Sequence, residues 1–135
     1  MEIRIADDLG GKAFAIFNGE IIFSYHQKDL KGYGGFIILK HKESDTQFYT
    51  LYGHLSEHSI SKFSKGDIIL KNQQIGILGD YVENGNWVPH LHFQIIKDLE
   101  NNIGDYPGVS SKKNIEFYKD NCPNPNFLLK IPPNF

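Results

Sequence analysis

A single cysteine, Cys122, in 135 residues excludes an intramolecular disulfide framework and any metal site built from a cysteine cluster. No apolar stretch approaches the roughly 20 residues that a membrane-spanning helix needs. The first residues, Met1-Glu2-Ile3-Arg4-Ile5-Ala6-Asp7-Asp8, lack the basic start and apolar run of a secretory signal. Positive charge is not in excess either: 14 Lys+Arg stand against 16 Asp+Glu, a formal net charge of -2. That balance speaks against nucleic acid and against an anionic membrane surface as partners. The expectation is a cytoplasmic protein, or one domain of a larger one with fusion or partner domains.

With 40% hydrophobic, 22% charged and 13% aromatic residues, the chain has the composition of one compact soluble domain covering residues 1–135. Its core is expected at about 12–97, followed by a C-terminal extension at about 98–135. In the core, short apolar runs broken by turn residues predict an all-β fold, a small antiparallel sandwich or barrel. Lys12 to Phe17 and Glu20 to Tyr25 flank Asn18-Gly19, a strong hairpin signal. Phe36 to His41 and Phe48 to His54 predict a second hairpin across the polar stretch 42–46. Ile68 to Leu70, Gln74 to Gly79 and His90 to Ile96 read as further strands, the last in a central position. In the extension, Ser110 or Ser111 is placed to cap a helix through Lys119, and Asn124-Pro125 to start a short turn. The class is therefore all-β with a short helical C-terminal tail.

His90 and His92, two residues apart on a strand, project from one face about 6 to 7 Å apart. By the same alternation Tyr52 and His54 share a face. If the two strands are neighbours, three imidazoles and a phenol meet in one pocket, with Trp87 close by in sequence. Imidazole suits both zinc ligation and proton transfer. The plainer reading of any one histidine is a satisfied structural residue. Phe48, Tyr49, Trp87 and Phe93 read as core or pocket wall.

Thr50-Leu51-Tyr52-Gly53-His54-Leu55-Ser56, then Gly66-Asp67 with Gln74-Ile75-Gly76 and Gly79, then Pro89-His90-Leu91-His92-Phe93-Gln94 resemble, in order, the signature of lysostaphin and LytM-type zinc endopeptidases. The tail segments Asp105 to Val109 and Cys122 to Leu129 resemble the version embedded in cytosolic proteins with an aminotransferase-like domain. The resemblance implies the duplicated hybrid motif fold with an open groove, zinc as cofactor, and hydrolysis of peptide bonds in a peptide or peptidoglycan-like substrate. It further implies His92 as metal ligand and His54 and His90 as catalytic residues, acting as general base and as stabilisers of the tetrahedral intermediate.

The remaining ligands of that family come from a His-x-x-x-Asp segment near the domain start, which is not found here. Counting back from Asn18-Gly19 puts the ligand aspartate at residue 4, and that residue is Arg4. A guanidinium only donates hydrogen bonds and cannot ligate a cation. Asp7 or Asp8 replaces it if the following loop is shortened; His26, His41 and His58 are other donors, and His54, His90 and His92 together are a third arrangement. Two functions are thus in play. One is a zinc metallopeptidase. The other is a metal-free homologue, a pseudoenzyme whose groove binds a small ligand or a protein partner and in which Arg4 occupies part of the cation site. A generic β-barrel with incidental histidines ranks below both.

Overall fold

Alternating inward and outward residues, with turns at the polar interruptions, generate the strands β1 (Glu2–Ala6), β2 (Lys12–Phe14), β3 (Gly19–Gln27), β4 (Gly34–Glu43), β5 (Thr46–Leu55), β6 (Ile68–Ile69), β7 (Gln74–Ile77) and β8 (His90–Ile96), with one helical turn, α1 (Glu57–Ile60), after β5. The structure, a computed structural model, describes residues 2–6, 11–27, 34–79, 90–99 and 121–125. Within these, six strands form an antiparallel sheet in the order β1-β8-β5-β4-β3-β6, and β2 and β7 form a two-stranded sheet. The all-β expectation holds.

Each face of the large sheet carries its own apolar cluster. On one face Ile21, Ile37, Leu39, Tyr52, Leu55, Phe93 and Ile95 pack with Ala13, Ala15 and Ile75 from the small sheet and its approaches. On the other, Phe36, Ile38, Leu51 and Ile96 pack with Cys122. Sequestering each large apolar side chain is worth roughly 1.5–3 kcal/mol, and this sets β4, β5 and β8 as the rigid centre.

The β4–β5 hairpin forms as the sequence predicts, with Glu43 paired to Thr46 across Ser44-Asp45. The Asn18-Gly19 hairpin does not. β2 pairs with β7, while β3 pairs with β4 and β6, so Asn18-Gly19 carries the chain from the small sheet to the large one. Long-range partners outcompete the turn: Ala15 N donates to the Gln73 carbonyl (2.9 Å), and Lys71 N donates to Asn18 Oδ1 (2.7 Å). β1, ahead of the expected core, pairs with β8 along its whole length, which makes β8 central.

Beyond β8, Asn121 fastens a distant segment to the strand end. Its backbone oxygen accepts from Lys97 N (2.8 Å), its Oδ1 accepts from Asp98 N (2.8 Å), and its Nδ2 donates to the Asp98 carbonyl (2.7 Å). This clasp carries Cys122 against the second apolar cluster. The helix expected through Lys119 and the turn through Leu129 lie outside the described residues.

Candidate functional site

β5 and β8 are adjacent, with Tyr52 opposite Phe93 and Gly53 opposite His92. Along β8, His90, His92, Gln94 and Ile96 alternate onto one face, while Leu91, Phe93 and Ile95 point to the other. Regular alternation along β5 would place His54 with Tyr52 on the Phe93 side. The strand departs from it by one residue. Ile37 pairs with Tyr52 and Gly35 with Leu55, so Gly53 and His54 together oppose Phe36 alone. His54 has a left-handed backbone, φ 64°.

Such a β-bulge re-aims a side chain. Tyr52 and Leu55 both face the first cluster, and His54 turns toward the β8 histidines. The His54 ring centroid lies 4.2 Å from that of His90 and 5.8 Å from that of His92. All three residues are buried. The expectation that three distant imidazoles meet is realised, through a bulge rather than through simple alternation.

Tyr52 is not brought to the pocket. Its ring packs on Phe93 at 5.3 Å, and its hydroxyl accepts from Ile16 N (3.3 Å) and lies 3.2 Å from Thr50 Oγ1. The bulge separates its face from that of His54. Burial pushes the Tyr52 phenol up, partly offset by the Thr50 and Ile16 contacts. Arg4 stands opposite His92 in the β1–β8 register. Trp87 lies outside the described residues. Of the other histidines, His26 falls within β3 rather than in a loop, and His58 is exposed on α1.

His41 lies toward the other end of β4, on the Tyr52 side of the sheet. Its Nδ1 is 2.8 Å from the Asn18 carbonyl and its Nε2 is 2.7 Å from Thr50 Oγ1. A carbonyl only accepts, so Nδ1 carries the proton, and burial holds the ring below its ordinary value of 6.5 despite the Asn18 contact. In the neutral ring Nε2 keeps its lone pair, and Thr50 Oγ1 lies between it and the Tyr52 hydroxyl, within hydrogen-bond distance of both. His41 is a structural residue. The unfolded chain binds its proton more readily, so the His41 contribution is complete above about pH 6.5 and is lost as pH falls through the folded value. Urea titrations from pH 7.5 downward are expected to show stability falling by at most about 1.4 kcal/mol per pH unit from this group, with a shallower slope in His41→Gln.

One buried polar side chain beside His92 escaped the sequence reading. Gln94, buried and two residues beyond His92 on the same face, has its Oε1 2.9 Å from His92 Nε2 and its Nε2 3.5 Å from Cys122 Sγ. The period-2 rule applied once more along β8 would have found it. Cys122 carried no such signal, because 28 residues of sequence separate it from its partner.

The zinc implied by the resemblance needs a His, Asp, His donor set. His92 suits one place in it. The residue in register with His92 on β1 is an arginine, which cannot fill another. Among the described residues no three His, Cys, Asp or Glu side chains are grouped to hold a metal. The described residues therefore do not make up that donor set.

An antiparallel sheet that gathers histidines from two neighbouring strands has the form of a metallopeptidase-like β domain. Peptidase family M23 matches residues 2–103, and the chain belongs to that family. Among solved structures it is similar to the catalytic domain of the antimicrobial peptidase lysostaphin from Staphylococcus simulans. The TM-score is 0.60 and the identity 22%, covering 95% of this chain and 77% of that one. It is also similar to LytU (TM-score 0.59, 18% identity, 95% and 70% covered). A third similarity is to a chain of the SpoIIIAH and SpoIIQ complex (TM-score 0.50, 28% identity, 64% and 55% covered). In another lysostaphin structure the chain spans 42% of the molecule. No curated protein matches the sequence.

Proposed function

We propose that this M23 domain is a metal-free homologue that binds a peptide segment of a protein partner, with His54, His90 and His92 forming a hydrogen-bonding wall of its groove. The observation that carries the reading is the register of Arg4 with His92. A cation site at His92 would have to accommodate a permanent positive charge on the neighbouring strand, where the family supplies an aspartate. Imidazoles without a metal remain good partners for peptide amides and carboxylates, since each neutral ring offers one donor and one acceptor. Further support comes from the SpoIIIAH and SpoIIQ complex, in which a chain of this fold takes part in a protein assembly.

A second reading, zinc-dependent hydrolysis of peptide bonds with His92 as ligand and His54 and His90 as general base and stabiliser, is favoured by the convergence of the three rings.

Calorimetric zinc titration of the purified domain, together with binding and cleavage measurements on a peptide array, decides between them. The expected result is no zinc uptake at micromolar metal, peptide binding without cleavage, and binding weakened about tenfold by His54→Ala or His90→Ala, equivalent to ~1.4 kcal/mol. Arg4→Asp is expected to introduce measurable zinc affinity. Stoichiometric zinc uptake by the unaltered domain, accompanied by peptide cleavage, would overturn the binding reading in favour of hydrolysis.

A further inference from the structure

At the end of the sheet away from the three-histidine pocket, three flat rings meet in a corner. Phe17 stands on edge to the other two: its centroid is 5.8 Å from that of Phe48 at 88° and 5.8 Å from that of His41 at 75°. His41 and Phe48, paired across β4 and β5, lie 4.9 Å apart at 31°. Both His41 ring nitrogens are engaged, by the Asn18 carbonyl and by Thr50 Oγ1, so His41 offers the corner ring surface rather than a donor or acceptor. Behind it, a Cβ at Gly19 would come within 2.8 Å of His41 Nδ1, and the wall has no room to retreat.

The corner opens into a cavity of about 330 Å³, at the small end of the range for ligand sites. Its rim is charged. Glu43 lies two residues beyond His41 on β4 and shares its face, with Lys42 between them. Lys71 joins from the turn after β6, where its backbone N donates to Asn18 Oδ1 (2.7 Å). These three charged residues are exposed, whereas Phe17 and Phe48 are half-buried and His41 is buried. By strand spacing the cavity lies about 17 Å along β4 from Phe36, the residue opposite the His54 bulge.

A ring seated in this corner makes edge and face contacts with its walls. A carboxylate on the same molecule meets the lysines and an ammonium meets Glu43. A molecule with one charge alone would leave that charge facing a like-charged group on the rim. We propose that the cavity binds a small aromatic zwitterion, a free aromatic amino acid, with its ring against Phe17, His41 and Phe48, its carboxylate at Lys42 and Lys71, and its ammonium at Glu43. The site goes beyond the peptide-binding reading and does not depend on it.

The test is a proton–nitrogen correlation NMR titration of the folded domain with L-phenylalanine, beside phenylpropionate, which lacks the ammonium, and phenethylamine, which lacks the carboxylate. Saturable shifts are expected at the amides of Phe17, Phe48 and Lys71, with a midpoint of roughly 1 mM, the scale that a ligand of this size reaches at ordinary efficiency. Each of the other two probes is expected to bind about threefold to fivefold more weakly, the effect of one exposed ion pair. Lys42→Met combined with Lys71→Met is expected to weaken phenylalanine and phenylpropionate by that factor without weakening phenethylamine. Glu43→Gln is expected to weaken phenylalanine and phenethylamine without weakening phenylpropionate. The substituted side chains are exposed, so these variants are expected to fold.

Absence of saturable shifts at these residues, or a phenylpropionate affinity equal to that of phenylalanine in the unaltered domain, would overturn the proposal. So would a loss in either variant that is the same for all three probes. Zinc uptake and peptide binding are read at β5 and β8, so the outcome there leaves this result standing, and the two proposals fail separately.

Discussion

Gly35→Ala is expected to lower the stability of the domain by about 3 kcal/mol or more, in the upper range for overpacking a rigid interior. Gly35 sits on β4 directly opposite Leu55. A Cβ there would collide with the Leu55 carbonyl oxygen and lie 3.0 Å from its carbonyl carbon and 3.3 Å from Ile60 Cγ2. Backbone cannot rotate aside as a side chain can, and β4 is held on both sides, by β3 and by β5. The displaced residue would be Leu55, the next one after His54, so the lesion reaches the histidine pocket as well. Urea unfolding followed by tyrosine and tryptophan fluorescence measures the loss. Gly66→Ala is the contrasting case: φ is +97°, with nothing within 4 Å of the added carbon. Its cost is the backbone strain alone, about 1–2 kcal/mol. Equal losses in the two variants would show that close strand contact is not what requires glycine at 35.

Thr50→Val is expected to cost about 2–4 kcal/mol although it preserves volume. The threonine hydroxyl joins two buried groups, His41 Nε2 at 2.7 Å and the Tyr52 hydroxyl at 3.2 Å. Valine leaves both without that partner, and each buried group so exposed costs roughly 1–3 kcal/mol. Tyr52→Phe should interact with it non-additively, since the two substitutions remove members of one chain of hydrogen bonds. A double-mutant cycle on unfolding free energies is expected to give a coupling of about 1 kcal/mol. Strict additivity would dissolve the chain into separate contacts.

Much of this arrangement was legible in the sequence because β structure writes itself with period two. His90 to Ile96 alternates polar and apolar residues up to a β-branched end, and the strand has those bounds. The Ser44-Asp45 turn separates two runs that have no better partners. Asn18-Gly19 misled because turn preference is a local term of modest size, and the partners that prevailed, Gln73 and Lys71, are more than 50 residues away. The Tyr52 placement failed for a different reason. Parity along a strand can be counted only if no residue is extra, and the extra residue at Gly53-His54 becomes visible only once Phe36 is known to be its neighbour. Gln94 was readable from spacing, whereas the clasp that brings Cys122 to it was not.

The left-handed backbone at His54 also restricts what evolution or an engineer can place there. A replacement must supply the desired chemistry and tolerate positive φ, and beyond glycine the side chains that do so most readily are asparagine and aspartate. Converting this imidazole wall to a carboxylate one is thus open at His54 through aspartate, whereas glutamate, a residue longer by only one methylene, would meet backbone resistance. A single-residue deletion in Gly53-His54 would restore plain alternation and keep Leu55 on the Tyr52 side of the sheet, so the strand can lose the bulge, and with it the aim of His54, without turning the following segment over.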